Sequence, residues 1–372
     1  MRDDLPYFTE LLGEVISKTK YTGGPHKPMG SLWSANTWIA HELNEEVIRV
    51  IKLDHKSLLA NPLALALNSA HGVAFHHGLG TPLSSTSSSP MTKYLDADRI
   101  AAFSEAAYAK DNVAVVANGA NHSEFSKWVG EFFTETGSGS PNIKLSSPPT
   151  KYFGGEERIA HDSANVMVIA FPGSSSFTSG SSYKPEIAVL AALLGGESSI
   201  KWSPGFSLLA KAASEYQHAH VSTRNDAYSD AGLLHVTITG NPSHIAKASK
   251  NVVDTLKKIA AGDVSEEDIK KATALAKFRA LETGQTTDAG LEATGSGLIR
   301  GGKPHQIDEI GQSIEKVGQD KVKSVSVLLA ILNPGLRANS QQAAKSLLDT
   351  KATVSTVGDL FQLPFAEEIG LK

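Results

Sequence analysis

Residues 229–239 read Ser229-Asp230-Ala231-Gly232-Leu233-Leu234-His235-Val236-Thr237-Ile238-Thr239. The first four are turn chemistry. The next seven alternate as a half-buried strand. Just beyond, Pro242 opens a segment to Ile259 in which Ile245, Val252, Val253, Leu256 and Ile259 recur at helical spacing. Working outward, residues 164–171 form a continuous apolar run that reads as a buried strand, and 186–194 as a helix. Ser265 caps a helix through Leu281, with Glu266, Glu267 and Asp268 at its positive end. Residues 352–357 are a further strand. Upstream, Asp4 caps a helix with Pro6 in its first turn, and Leu5, Phe8, Leu11, Leu12, Val15 and Ile16 fall on one face. Helices follow at 45–59, 64–75, 96–108 and 124–133, with a β-branched strand at 112–117. Strands and helices are interspersed without regular short βαβ crossovers. That pattern predicts an α+β fold with antiparallel sheets.

The length of 372 residues predicts two domains. The best linker runs over 136–149, where Gly, Ser and Pro take over and Pro148-Pro149 ends the stretch. A net charge of −4 gives no reason to expect nucleic acid as a partner. The chain has no cysteine, which excludes disulfides, thiolate metal sites and iron–sulfur ligation by its own residues. No run approaches the roughly 18 apolar residues that span a bilayer; the best is residues 187–194. The opening Met1-Arg2-Asp3-Asp4-Leu5-Pro6 is acidic and enters a helix at once, unlike a signal or transit peptide. By itself that suggests the cytosol.

Several segments, in this order, point to one family: 2–7 (Arg-Asp-Asp-Leu-Pro-Tyr), 74–83 (Ala-Phe-His-His-Gly-Leu-Gly-Thr-Pro-Leu), 151–156 (Lys-Tyr-Phe-Gly-Gly-Glu), 227–234 (Ala-Tyr-Ser-Asp-Ala-Gly-Leu-Leu) and the tail 358–365. The chain resembles the core-protein-2 family of the mitochondrial cytochrome b-c1 complex (respiratory complex III). That family is a non-catalytic branch of the pitrilysin-type zinc peptidases and the mitochondrial processing peptidase. The resemblance implies two similar αβ domains, each a mixed or antiparallel sheet with helices packed on one face. It places an incomplete first domain at 1–135, a linker at 136–150 and the second domain at 151–372. The family's opening strands, zinc-motif helix and targeting sequence are then expected upstream of Met1.

The implied role is a structural subunit that is not an enzyme, peripheral on the matrix side of the inner membrane in place of the cytosol. Core protein 1, cytochrome b and cytochrome c1 are the implied partners in a dimeric complex. The alternative is a substrate-presenting subunit of a processing peptidase, to be told apart by whether haem co-purifies.

The residues of this chain carry no zinc-peptidase motif, whose helix the resemblance places upstream of Met1. A zinc peptidase needs His-x-x-Glu-His on one helix, so that two imidazoles bind the metal and the glutamate polarises its water. The sequence has no such pattern. His41 and Glu42 come nearest but lack a second histidine one turn on, and read as a solvated helix start. The region aligned with the third ligand carries Asp54 and His55, ordinary surface residues. His76-His77 sits in a helix-end loop before Gly78. His218 and His220 decorate one face of a half-exposed strand. There is no Gly-x-Ser-x-Gly elbow, and no phosphate loop follows Gly195-Gly196. Where the processing peptidase has a longer glycine-rich loop, this chain has 197–202, Glu-Ser-Ser-Ile-Lys-Trp. Gly154-Gly155 is expected to turn the chain into a strand. No catalytic, cofactor-binding or metal-ligating residue is therefore assigned, and no cofactor.

Residues 23–40 and 325–342 interrupt the family pattern. Each is 18 residues, or 54 nucleotides in frame. Joining Ser324 to Ala343 restores one amphipathic helix, and joining Thr22 to His41 restores a helix connection. Val325-Ser326 can be encoded as GTAAGT, Ala35-Asn36 and Ala338-Asn339 as GCTAAC, and Gln342 as CAG, which are splice-site sequences. Our reading is two translated introns, against surface loop insertions. Sequencing the mature transcript across both junctions is expected to find both segments missing; messages that retain them would refute it.

Overall fold

The computed structural model describes residues 4–19, 49–82, 97–137, 145, 148–179, 182–196, 205–212, 218–318, 320–324 and 351–371. The segments 23–40 and 325–342, and with them His41, Glu42 and residues 197–202, lie outside the described residues. The chain forms two compact units. One comprises 58–83, 149–286 and 305–372, the other 1–57, 84–148 and 287–304.

The first of these is built on a five-stranded sheet. Its strands are β1 (Gly155–Ala160), β2 (Val166–Pro172), β3 (Ala219–Ala227), β4 (Gly232–Gly240) and β5 (Thr353–Gly358), in the order β1-β5-β2-β4-β3. Only β1 and β5 run parallel, so the sheet is mixed. The turn chemistry at 228–231 closes the β3–β4 hairpin, with Tyr228 N–H donating to Ala231 O at 2.9 Å. Gly154 (φ 75°) and Gly155 (φ 147°) swing the chain into β1. A side chain at Gly154 would meet Lys351 O at 1.9 Å, so only glycine fits there.

The alternation in 233–239 predicts a half-buried strand, but β4 is buried on both faces. The reason is an element far upstream. Helix 62–75 (Pro62–Phe75) lies over the second face, and its Ala66, Ala70, Ala74 and Phe75 pack on Val166, Val168, Ala170, Leu233 and Val357. Alanines at one-turn spacing let the helix axis approach the strands closely. Asn61 caps this helix, its Oδ1 accepting from the N–H groups of Leu63 and Ala64.

The opposite face carries the larger core. Met167, Ile169, Phe171, Leu234, Val236 and Ile238 meet helices 185–194 (Pro185–Leu194), 242–261 (Pro242–Ala261), 266–283 (Glu266–Thr283) and 307–315 (Ile307–Glu315). The five apolar residues read from the period of helix 242–261 are all buried. Ser265 Oγ accepts from Asp268 N–H at 3.1 Å, the expected cap. Helix 185–194 is apolar all round and ends at Gly195-Gly196. Gly196 (φ 151°) lies against β3, where a side chain would meet Val221 O at 2.1 Å. That pair is a stop and a close approach.

The other unit is helical in its described parts, with α-helices Leu5–Ser17, Ala97–Ala107, His122–Phe132 and Thr287–Gly301 and most of Arg49–Ala60. The strand expected over 112–117 is absent here, and the apolar stripe of helix 5–17 is not its buried face. In helix 5–17 the buried residues are Thr9 and Gly13, while Phe8, Leu11, Leu12 and Val15 stay exposed. Close approach to helix 122–132 requires the small residues, since a side chain at Gly13 would sit 2.6 Å from Phe132 O. Residues 112–117 form no strand. A 3₁₀ turn covers Lys110–Asn112, and Val113 is extended but joins no described ladder.

Leu190 is fully buried in the larger core, whereas Leu12 is 51% exposed. Leu190→Ala is expected to cost about 2–5 kcal/mol by urea unfolding, and Leu12→Ala less than about 0.5 kcal/mol. Equal losses would show that the two positions are not packed as described.

Candidate functional site

Placing helix 62–75 on the sheet buries polar side chains that must find partners there. His71 comes from the helix, Asp226 from β3, Tyr228 from the hairpin turn and His235 from β4. Their protons can be assigned from the acceptors alone. Leu67 O only accepts, so His71 Nδ1, 2.8 Å away, carries a proton. Its Nε2 lies 2.7 Å from the Tyr228 hydroxyl and 3.8 Å from Asp226 Oδ2. The Asp226 carboxylate only accepts, so His235 Nε2–H donates to its Oδ2 at 3.2 Å. His235 Nδ1 is left to accept from Thr237 O–H at 3.1 Å.

Burial alone would raise the Asp226 carboxyl. The hydrogen bond from His235 opposes this, together with the charges of His235, His71 and Arg224, and leaves it below its ordinary value. Burial, with the nearby Asp226 charge, raises the Tyr228 phenol and keeps it a donor.

Two further links sit under the same helix. Ser355 O–H donates to Ser69 Oγ at 2.9 Å, and Ser69 O–H donates to Glu157 Oε2 at 2.5 Å. Tyr152 O–H donates to Ala170 O at 3.2 Å and its oxygen takes the Thr353 hydroxyl at 2.9 Å; burial raises this phenol strongly. In this arrangement each of these hydroxyls has a protein partner. The cluster fastens a helix to a sheet.

The residues weighed in the sequence lie apart from this cluster. His76 (φ 58°) ends helix 62–75 and stacks on Phe153 at 4.1 Å. His77 is exposed. His218 and His220 are exposed at the β3 edge, with His218 edge-on to His244. Asp54 is exposed and His55 half-buried on helix 49–60. Among the described residues no group of three or more His, Asp or Glu is arranged to hold a metal ion. Sequence reading missed His71, Asp226 and His235. The available signal was a histidine inside each of two apolar buried runs, which calls for a partner.

The family model described as "Peptidase M16 inactive domain" matches residues 94–275. Cytochrome b-c1 complex subunit 2 of Neurospora crassa is 45% identical across 100% of this chain and 73% of its own length. The chain belongs to the cytochrome b-c1 complex subunit 2 family. The Cryptococcus neoformans member is 34% identical over 92% of this chain and 72% of its own. A chain of the Candida albicans complex III₂ structure, solved with Inz-5 bound, superposes with a TM-score of 0.72 at 16% identity. It covers 99% of this chain and 80% of that one, and it shows the fold. The resemblance read from the ordered segments and the mixed αβ architecture thus agree with the members of the cytochrome b-c1 complex subunit 2 family.

Because the folded Asp226 carboxyl titrates below its unfolded value of about 3.9, its ionisation contributes stability at neutral pH. That contribution is lost as pH falls through the folded value. Asp226→Asn is expected to destabilise by about 1 kcal/mol at pH 7, discounted for partial exposure. The gap to wild type should close below about pH 4. A gap independent of pH in denaturant titrations would remove the charge from the account.

Proposed function

We propose that this chain is a structural, non-catalytic core subunit of mitochondrial complex III, supporting assembly and stability of the quinol-to-cytochrome c electron-transfer complex. The observation that carries the reading is family membership at 45% identity across the whole chain, in a lineage whose matching domain is described as inactive. The structure supports it in kind. A sheet covered on both faces, with His71, Asp226, Tyr228 and His235 engaged among themselves, is a packed plate. Such a plate offers surface rather than chemistry. We assign no catalytic, cofactor-binding or metal-ligating residue, and electron transfer belongs to other subunits.

The same reading extends to partners and place. Core protein 1, cytochrome b and cytochrome c1 are the proposed neighbours, in a dimeric complex associated with the mitochondrial inner membrane. The chain would be peripheral there, on the matrix side. Among the described residues no single helix is long and apolar enough to cross a membrane. The helix at 62–75, the more apolar part of a bent pair, spends its apolar face on the sheet, which supports attachment through partner proteins.

The test is a native gel of mitochondrial membranes carrying the tagged chain. It is expected to migrate with haem absorbance in one large particle. Migration in a smaller, haem-free particle with presequence-cleaving activity would overturn the assignment in favour of a processing-peptidase subunit.

A further inference from the structure

After β5 the chain runs through residues 359–371, and this tail is held with unusual thoroughness. Leu363, Ala366, Ile369 and Leu371 are buried. The Arg158 guanidinium, itself largely buried, donates to three carbonyls of the tail, Leu360 O and Leu363 O at 2.9 Å and Pro364 O at 2.8 Å. Glu156 Oε1 accepts from Ala366 N–H at 3.2 Å. Asn165 Oδ1 accepts from Asp359 N–H at 2.8 Å, and the Asp359 carboxylate accepts from Phe361 N–H and from the Gln362 amide. Glu368 Oε2 takes Phe365 N–H at 2.9 Å, and the Phe365 ring lies 3.8 Å from the Arg158 guanidinium carbon.

What this scaffold holds out is Phe361. Its side chain is 103% exposed, the most of any large hydrophobic described, with Phe365 half-exposed four residues on. An apolar side chain on a floppy turn needs no explanation. Here the backbone on both sides is pinned by hydrogen bonds to a buried arginine and four other side chains. A rigid aromatic presented on a preformed turn is what a binding anchor requires, because the ordering cost has been met before a partner arrives. The surroundings state the partner's charge. Residues 358–371 contain Asp359, Glu367 and Glu368 and no basic residue, with Lys372 next in the chain and Lys257 Nζ beside Gly370, at the other end of the tail from Phe361. The Asp162 side chain is fully exposed, one residue beyond His161, whose N–H donates to Gly358 O. Arg158 faces inward.

We propose that Phe361 is a docking anchor that enters an apolar pocket rimmed by basic residues on a different subunit of the complex. The inference rests on the assignment to complex III, and its test separates the two. In mitochondria carrying the tagged full chain, wild type should migrate in the haem-containing particle. Failure of wild type to do so sinks the assignment itself. With wild type in place, Phe361→Ala is expected to reduce the chain's share of the particle by about tenfold at unchanged total abundance. Glu367→Lys should reduce it severalfold through like-charge contact with the rim. Retention of Phe361→Ala at the wild-type level overturns the docking role.

Should Phe361→Ala lower total abundance, the deciding measurement is a photo-reactive benzoylphenylalanine at position 361 in the assembled particle. A cross-link to a different subunit supports the proposal. A cross-link to a second copy of this chain, or none, overturns it.

Discussion

The structure depends on one constraint, that a sheet covered on both faces must find partners for the polar groups it buries; among the described sheet residues Thr356 Oγ1 is the exception. The odd-numbered positions of β4 carry His235, Thr237 and Thr239, which would be unremarked if that face met water. Helix 62–75 removes the water from His235 and Thr237. The helix gains dispersion and apolar burial through its alanines and Phe75, and it takes on the obligation to pair the histidine and threonine it covers. His71, Asp226 and Tyr228 meet that obligation, as do Ser69 with Ser355 and Tyr152 with Thr353. The pairs specify where the helix sits as well as holding it, since a slip of one turn would break the bonds of His71 and Ser69 together.

Much of the larger core was legible in sequence because it is written in short-range periods. Helix 242–261 announces its buried face every three or four residues, Ser265 announces a helix start, and β2 is a bare apolar run. The other face was illegible for an equally physical reason. Tyr228 and its partner His71 are 157 residues apart, and no local pattern links them. The alternation of β4 is plain in the sequence. What its polar side meets is decided by a distant helix.

Helix 5–17 teaches a different lesson. Its apolar stripe marks a face, but the contact made within its unit runs through Thr9 and Gly13. Closest approach between helices is set by the smallest side chains, and hydrophobic periodicity does not rank them. Residues 112–117 have strand composition, and composition does not supply a ladder partner. The cluster that occupies the buried face is invisible until the strands are in register.

The strand order carries a consequence for how the chain reaches this state. β5 lies between β1 and β2 and pairs with both, yet Gly155 faces Thr353 across the parallel ladder. Until the last strand has left the ribosome, β1 has no neighbour and β2 presents an open hydrogen-bonding edge flanked by apolar residues. The nascent chain therefore waits through nearly two hundred residues of synthesis with a slot in its sheet. Closure is a late event of high contact order, exposed to strand-swapping and to capture by holdase chaperones. The Arg158 clamp then latches the segment that arrives last.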